Sequence, residues 1–234
     1  SMLTPIGNPQ NLYLFSLSGM GIGEFLALMF PYTAASAVLL TGCILLGCRR
    51  GRLSVAVEPP EKLRTKPVAF YTVLFLMCIL AVAGIVPHLA LFVVVTVAML
   101  AADRALFTRV DYSLLLTFTF FFIFIGNMNH VESLRTLIAG LLSGHEKEVS
   151  IISSQVISNV PAAMLLSGYT DNVRQLIVGT NLGGLGTLIA SMASLISYKQ
   201  IAGRYPQLKK QYIGTFTVFN VAFLAVLWLI SCVL

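Results

Sequence analysis

Long apolar runs, separated by short polar loops, make up most of this chain of 234 residues. They lie at residues 5–16, 24–48, 68–86, 89–102, 112–128, 131–143, 149–169, 173–198 and 212–233. A helix needs about 20 mostly apolar residues to cross the hydrocarbon core of a bilayer. The pattern therefore predicts a set of membrane helices, in which the run at 89–102 is short and the run at 131–143 is a separate amphipathic helix.

Three of the apolar segments contain residues that interrupt helices. The first break, at residues 4–11, reads Thr-Pro-Ile-Gly-Asn-Pro-Gln-Asn, and its near match at 179–187 reads Gly-Thr-Asn-Leu-Gly-Gly-Leu-Gly-Thr. A third break, Ser-Asn-Val-Pro, lies at 158–161. Such residues are costly at membrane depth unless they line a cavity or are buried in protein. Matching breaks in the two halves of a chain point to the binding site of a secondary transporter.

The apolar run at 149–169 carries its break at its centre, which suits a re-entrant hairpin better than a crossing helix. Asn159 can cap a helix N-terminus, and Pro161 is tolerated in a first helical turn. A crossing helix with a proline kink is the alternative reading of the same residues. We therefore expect a hairpin whose tip lies at Ser158 and Asn159.

Loop charges orient the predicted helices. The loops at 49–67, 103–111 and 199–211 are rich in Lys and Arg. The positive-inside rule places all three in the cytoplasm, and this works only if 149–169 does not cross. With that parity the hairpin opens to the outside, and the C-terminus lies outside.

Composition agrees with a membrane protein. The chain is 57% hydrophobic and 10% charged, with a mean hydropathy of +0.89, whereas soluble domains carry about 25% charged residues. Its net charge of +6 comes from basic loops, so nucleic acid is not an expected partner. Cys43, Cys48, Cys78 and Cys232 form no CxxC pair and predict neither a disulfide nor a zinc site. The predicted fold class is an all-α polytopic membrane protein.

The order of broken helix, short loop and long final span occurs at 1–48 and again at 179–234. This predicts a second repeat at 68–234, with a broken helix at 173–198 and a final span at 212–233. The residues at 49–67 would form a basic cytoplasmic linker. Residues 1–48 would then be the tail of a first repeat, and we expect an N-terminal part with its own hairpin to be missing from the chain.

The hairpin tip has the chemistry to hold ions. Ser158 and Asn159 offer a hydroxyl, an amide oxygen and freed backbone carbonyls, which are hard neutral ligands that suit Na⁺. The helix N-terminus that follows, at residues 160–162, presents N–H groups and a positive dipole end that attract an anion. One break could therefore serve a coupling cation and an anionic substrate.

In the segment 173–198, small and hydroxyl residues recur at three- and four-residue spacing and would share one helical face. They are Thr180, Gly184, Thr187, Ser191 and Ser194. The face either lines a substrate path or packs closely against another helix. Asn181, beside consecutive glycines, resembles an unwound coordinating turn, and Asn8 and Asn11 match it in the first break.

Several functional classes find no support in the sequence. No Asp, Glu, Lys, Arg or His lies in the middle of a predicted span, so sodium coupling is easier to support than a proton relay. There is no P-loop for ATP and no catalytic set within the membrane, so we expect a protein that is not an enzyme. No His pair has metal-ligand spacing, and no cofactor is predicted beyond a coupling Na⁺ or H⁺.

The residues at 1–11 and 154–161 resemble the first broken helix and the second hairpin of citrate-transporter-like permeases. These permeases belong to the ion transporter superfamily, with arsenite permeases, sodium/proton antiporters and divalent anion/sodium symporters. Small bacterial inner-membrane permeases of this group are the most similar, and the resemblance covers essentially the whole chain. It implies two inverted repeats, each with a re-entrant hairpin and a broken helix, and a homodimer.

The resemblance also implies a set of binding residues. The Ser-Asn-Thr signature of the hairpin maps onto Ser158, Asn159 and Val160, and the departure at Val160 argues against a dicarboxylate contact there. The glycine–asparagine turns map onto the other two breaks. The candidate residues are Gly7, Asn8, Pro9, Asn11, Ser158, Asn159, Val160, Pro161, Thr180, Asn181, Gly183, Gly184 and Thr187.

The sequence thus favours an ion-coupled secondary carrier for a citrate-like, dicarboxylate or inorganic anion in the inner membrane. Its partners would be the lipid bilayer, the small anion and the missing first repeat. Arsenite or oxyanion efflux and sodium/proton antiport are alternatives within the same superfamily. A non-transporting membrane scaffold or receptor is the alternative from another class.

Overall fold

The computed structural model describes residues 1–47, 65–128 and 130–233, so most of the basic loop predicted at 49–67 lies outside the described residues. All regular structure in this part of the chain is helical. The α-helices are α1 (Pro9–Ser18), α2 (Ile22–Gly47), α3 (Thr65–Val82), α4 (His88–Ala102), α5 (Tyr112–Met128), α6 (Glu132–Leu142), α7 (Glu146–Ile157), α8 (Asn159–Leu166), α9 (Val173–Leu182), α10 (Met192–Arg204) and α11 (Lys209–Ser231). Short 3-10 turns lie at Pro5–Gly7, Arg104–Arg109, Leu188–Ala190 and Pro206–Leu208.

Three helical segments are long and apolar enough to cross a membrane: α2, α3 and α11 with the turn before it. They leave large apolar side chains uncovered, and Leu46 of α2 is 92% exposed. α4 and the residues Leu115–Met128 of α5 are shorter apolar helices. The chain is an all-α polytopic membrane protein, as its hydropathy predicts.

The chain forms two compact units, a larger one of residues 1–42 and 114–234 and a smaller one of residues 43–113. In the smaller unit, α3 and α4 pack against each other, and Gly84 takes a φ of +77° in the turn between them. A side chain at that φ would be strained, which explains the glycine. The repeats predicted at 1–48 and 68–234 are a separate matter of internal symmetry and stay a prediction.

The core of the larger unit lies among α1, α7, α8 and α9. Leu14, Leu176 and Ile177 are fully buried there. α7 and α9 approach closely because Gly179 has no side chain: a Cβ at that position would lie 2.6 Å from the carbonyl oxygen of Lys147. This small-residue packing replaces the hydrophobic driving force that a soluble core would have.

α7 and α8 form the helical hairpin that the sequence predicts at 149–169. The Thr170 hydroxyl, beyond the end of α8, donates to Oε1 of Glu146 at the start of α7 at 3.4 Å, so the two helices run back alongside each other. The chain reverses at Ser158, which has a φ of +73°. At about 1.5 Å per residue, α7 is about 18 Å long and α8 about 12 Å, and both are shorter than a bilayer core of about 30 Å.

The tip lies at Ser158 and Asn159 as predicted, but the helix cap differs by one residue. Ser158, not Asn159, is the N-cap of α8, and Asn159 is the first helical residue. Pro161 lies in the first turn, where its missing N–H costs no hydrogen bond. The positive φ of Ser158 is a strained backbone conformation for a residue other than glycine, which is typical of functional sites.

The segment predicted at 173–198 is broken into two helices. α9 ends at Leu182 and α10 begins at Met192, with Gly186 at a φ of +100° between them. The continuous helical face expected for Thr180, Gly184, Thr187, Ser191 and Ser194 is therefore wrong. The glycines stop the helix, and the hydroxyls have local partners: Thr180 donates to the Leu176 carbonyl at 2.7 Å and Ser191 caps α10.

Candidate functional site

The three breaks meet at one cavity of about 390 Å³ in the larger unit. Seven of the sequence-predicted residues line it: Gly7, Asn8, Pro9, Asn159, Val160, Asn181 and Gly184. α10 and α11 complete the wall, through residues such as Ser194 and Asn220. Breaks that are far apart in the sequence are thus adjacent in the fold.

The remaining predicted residues lie behind this wall. Asn11 and Thr180 are fully buried, and Gly183 packs against Ser154. The hydroxyl of Ser158 donates to the Ala190 carbonyl at 3.4 Å, and Thr187 bonds to Gln155. Pro161 sits in the first turn of α8. These residues shape the breaks and do not line the cavity.

Three asparagines join the start of α1 to the end of α9. The Asn8 amide donates to Oδ1 of Asn181 at 3.3 Å, and the Asn181 amide donates to Oδ1 of Asn11 at 2.5 Å and to the Ile177 carbonyl at 2.8 Å. Oδ1 of Asn8 accepts the backbone N–H of Asn11 at 2.9 Å. The Asn11 amide in turn donates to the Met2 and Thr4 carbonyls. Each oxygen and nitrogen of this asparagine triad (Asn8, Asn11 and Asn181) therefore has a partner.

Two other amide side chains, those of Asn159 and Gln10, line the same cavity without a hydrogen-bond partner among the described residues. Asn159 is 6% exposed and Gln10 is 3% exposed. Neither side chain makes a hydrogen bond to any residue that the structure describes. Their amide atoms keep contact with the cavity, since the hydroxyl of Tyr169 is the one fully buried side-chain polar atom without a partner among the described residues. We call Asn159 and Gln10 the open amides, because both are available to a solute in the cavity.

Three helices of the larger unit, α1, α8 and α10, begin at the cavity. The lining residues from their first turns and caps are Asn8, Pro9, Gln10, Asn159, Val160, Ser191, Met192 and Ala193. The first N–H groups of a helix have no partner within it, and the helix dipole adds about half a positive charge there. Side chains of Asn8 and Ser191 cap α1 and α10, but Ser158 makes no such bond to α8. The N-terminus of α8 is the most available of the three.

None of the described side chains that line the cavity carries a charge. The described residues also contain no group of three or more His, Cys, Asp or Glu arranged to hold a metal. The potential in the cavity therefore comes from amide groups and helix ends. Such a site offers donors and acceptors but no fixed countercharge.

Polar residues of the hairpin pack onto the glycines of the α9–α10 break. A Cβ added to Gly184 would lie 2.9 Å from Nδ2 of Asn159, and one added to Gly186 would lie 2.3 Å from Oε1 of Gln155. The Gln155 amide nitrogen donates to the carbonyls of Gly183 and Leu185 at 2.8 and 3.0 Å. Because any larger residue would clash, the break keeps one shape against the hairpin.

A second, larger cavity of about 520 Å³ lies at the other end of α1, α8 and α9. Glu24 of α2 pairs with Arg174 of α9 there. Both side chains are about half exposed, at 48% and 52%. This cavity contains none of the sequence-predicted binding residues, and the buried Leu14 and Ile177 belong to the core between the two ends.

Three further residues of the cavity and the hairpin are not among those predicted from the sequence. Gln10 lies inside the first break, between two asparagines that drew attention. Gln155 lies in the hairpin motif but outside its Ser-Asn signature. Asn220 is an amide near the middle of α11, and the same cost argument that marked the breaks could have identified it.

Comparison with known proteins supplies the family. The family model described as citrate transporter (CitMHS) matches residues 1–175. The chain belongs to the citrate transporter family. Membership of the citrate transporter family places the chain among membrane transport proteins rather than enzymes.

Two relatives carry the comparison further. The chain is 34% identical over 201 residues to an uncharacterized transporter of Methanocaldococcus jannaschii, covering 85% of this chain and 54% of the relative. It is 31% identical over 212 residues to the inner membrane protein YbiR of Escherichia coli strain K12, covering 87% and 56%. The chain thus spans about half the length of the curated relatives it matches. No solved structure matches it.

Proposed function

We propose that this member of the citrate transporter family is an ion-coupled secondary carrier that moves a small anion across the inner membrane. The observation that carries the proposal is the pair of open amides, Asn159 and Gln10, in an uncharged cavity at which three helices begin. Amide groups that face a cavity without a protein partner are available to hydrogen-bond a solute. The cavity volume of about 390 Å³ lies within the usual range for small-molecule sites.

An anion suits this cavity better than a cation as the main solute. The N–H groups at the starts of α1, α8 and α10 and the two open amides all supply donors. No described lining residue is acidic. Helix N-termini bind phosphates and carboxylates through the same groups elsewhere. Citrate, a dicarboxylate or an inorganic anion would each find donors on several sides.

The lack of a fixed positive charge favours a co-transported cation. An anion moved alone into a region of low dielectric constant pays a large desolvation cost, which a neighbouring cation would reduce. The tip of the hairpin at Ser158 and Asn159 is the place where we propose that Na⁺ binds, because α7 ends there and frees backbone carbonyls. A proton is the other candidate for the driving ion.

An uncharged cavity also suits a neutral oxyacid such as arsenite, which would use the same amide donors and acceptors. This is the second candidate for the substrate. Sodium/proton antiport has less support, because a proton exchanger relies on a titratable side chain and no such side chain lines the described cavity. The names of the two relatives, a transporter and an inner membrane protein, agree with a carrier in the inner membrane. In this proposal the C-terminus lies on the outer side of the membrane.

The test is uptake of radiolabelled anions by the full gene product in liposomes, with an imposed Na⁺ gradient, an H⁺ gradient or neither. We expect gradient-driven uptake of one anion class. Asn159→Ala should lower it about 10- to 100-fold, the equivalent of one hydrogen bond to a charged group. Asn127→Ala, at an exposed amide in α5, is the matched control and should transport normally.

Each possible outcome of this uptake assay leads to a different conclusion. Flux that ignores both gradients would exclude ion coupling. Arsenite flux without anion flux would favour the second candidate. Normal anion uptake by Asn159→Ala would remove the cavity from the transport path and with it the argument for this function.

A further inference from the structure

The side chain of Gln155 is held at both ends. Its oxygen accepts the backbone N–H of Thr187 at 2.9 Å. Its nitrogen lies within hydrogen-bond distance of three backbone carbonyls, those of Ile151 at 3.1 Å, Gly183 at 2.8 Å and Leu185 at 3.0 Å. The N–H of Thr187 needs an acceptor and the carbonyls need donors, so the two ends of the amide cannot be exchanged.

Three carbonyl oxygens around one centre exceed what an amide group can satisfy, because an NH₂ group has only two hydrogens. Two of the three, those of Gly183 and Leu185, lie just beyond the end of α9. Carbonyl oxygens gathered around one point at the unwound end of a helix are the usual surroundings of a bound monovalent cation. The nitrogen of Gln155 occupies that point. Its two hydrogens carry partial positive charges that point at the carbonyls, where an ion would carry a full charge.

We infer that Gln155 is a built-in substitute for a cation at the α9–α10 break. It holds the carbonyls of Gly183 and Leu185 together without a bound ion. The break then keeps its shape when the carrier is empty of cations. The inference rests on the proposed function only for its consequence, which is that a coupling cation has to bind elsewhere, at the Ser158–Asn159 tip.

The surroundings fix Gln155 in this role. Gly186 has a φ of +100° and no room for a side chain beside the Gln155 oxygen. The hydroxyl of Thr187 also donates to the backbone carbonyl of Gln155 at 3.2 Å. The break is thus tied to α7 at both the side chain and the main chain. The main-chain tie remains when the amide is removed, so we expect the carbonyls to stay beside α7.

Three variants separate this role from ordinary packing. Gln155→Glu replaces the donor by an oxygen that faces three carbonyls, so the site should then require a cation. Gln155→Ala empties the carbonyl cluster and should also create a cation site, although a weaker one. Gln155→Met fills the space with an apolar group and leaves no room for an ion.

The measurement is the melting temperature of each purified full-length variant in Na⁺ and in choline at equal ionic strength. Because the proposed Na⁺ site at the Ser158–Asn159 tip is present in every variant, the change in melting temperature is compared with that of the wild type. We expect Na⁺ to raise the melting temperature of Gln155→Glu by about 5 °C more than that of wild type. Gln155→Ala should show a smaller rise in the same direction. Gln155→Met should be less stable than wild type in both salts and show no added response.

An equal Na⁺ response in wild type, Gln155→Glu and Gln155→Ala would overturn the inference. So would failure of all three variants to fold in either salt, because a cation could then not replace the amide. Neither result bears on anion uptake by the wild type. The liposome assay therefore fails or succeeds independently of this one.

Discussion

The asparagine triad and the open amides lie at the same cavity, with Asn11 just behind its wall, and all five side chains end in an amide. The triad is hydrogen-bonded within the protein, whereas the open amides are not. Each side-chain oxygen and nitrogen of Asn8, Asn11 and Asn181 has a hydrogen-bond partner in the triad or in nearby backbone. Asn159 and Gln10 are as deeply buried and have no described partner. The triad and the open amides therefore differ in their hydrogen bonds and not in their burial.

The difference suggests a division of labour within one cavity. A closed amide network fixes the relative position of two helix ends, since each polar group would be costly to leave unpaired. An open amide contributes little to that rigidity but is ready to bind a solute. We therefore expect changes to the triad to act on stability, and changes to the open amides to act on transport.

The largest effect on stability should come from Asn181→Ala. This change removes the donor to Oδ1 of Asn11 and the acceptor for Asn8, and Asn11 has no exposure to water. We expect the free energy of unfolding to fall by about 2–3 kcal/mol, measured by thermal or denaturant unfolding in detergent. Asn159→Ala is the matched control in the same wall and should lose less than about 1 kcal/mol. An equal fall in the free energy of unfolding of the two variants would show that the triad and the open amides do not differ in their contribution to stability.

The helices, the hairpin and the presence of a break at 179–187 could be predicted from the sequence. The span predicted at 24–48 is α2, Ile22–Gly47, because length and apolarity are local properties. The hairpin followed from Ser158 and Pro161 together with loop charges. These signals depend on composition and on residues that are close in the chain.

The state of each amide could not be predicted in this way. Whether Asn11 is paired depends on Asn181, which lies 170 positions further along the chain. The arrangement of the carbonyls after α9 depends on Gln155, whose side chain bonds to those of Gly183 and Leu185 from 28 and 30 positions earlier in the chain. Gln10 was overlooked because nothing in the sequence separates it from its asparagine neighbours. Tertiary partners, and not local pattern, decide these points.

Gln10→Met tests the second open amide, at a size that keeps the cavity wall filled. We expect anion uptake to fall about tenfold, since a hydrogen bond to the solute is worth about 1.4 kcal/mol in this case. Stability should not fall, because no described hydrogen bond is lost. Gln175→Met, at an exposed position of α9, is the control. If Gln10→Met transports normally while Asn159→Ala is defective, only Asn159 of the two open amides binds the solute.

Gly184→Ala tests whether the position of Asn159 matters. The added methyl would lie 2.9 Å from Nδ2 of Asn159, and overpacking of this kind costs about 1 kcal/mol or more. Because Asn159 has no described bond that holds it in place, we expect it to turn aside and uptake to fall with only this modest loss of stability. Gly214→Ala, in α11 with nothing within 4 Å of the new methyl, should be neutral or stabilising. A Gly184→Ala protein with full uptake would show that the orientation of Asn159 is unimportant.

The smallest effect is expected at Tyr169, whose unpaired hydroxyl lies outside the cavity, unlike the open amides. The buried hydroxyl of Tyr169 has no hydrogen-bond partner among the described residues, whereas that of Tyr13 is 3.0 Å from the Ser167 hydroxyl. Tyr169→Phe removes a group that is already unpaired, so stability should stay within about 0.5 kcal/mol of wild type or rise, and uptake should not change. Tyr13→Phe, the matched control, should cost about 1 kcal/mol in the same unfolding measurement. A loss of uptake in Tyr169→Phe would mean that unpaired polar groups outside the cavity also serve transport. The lack of a hydrogen-bond partner would then no longer identify Asn159 and Gln10 as the residues that bind the solute.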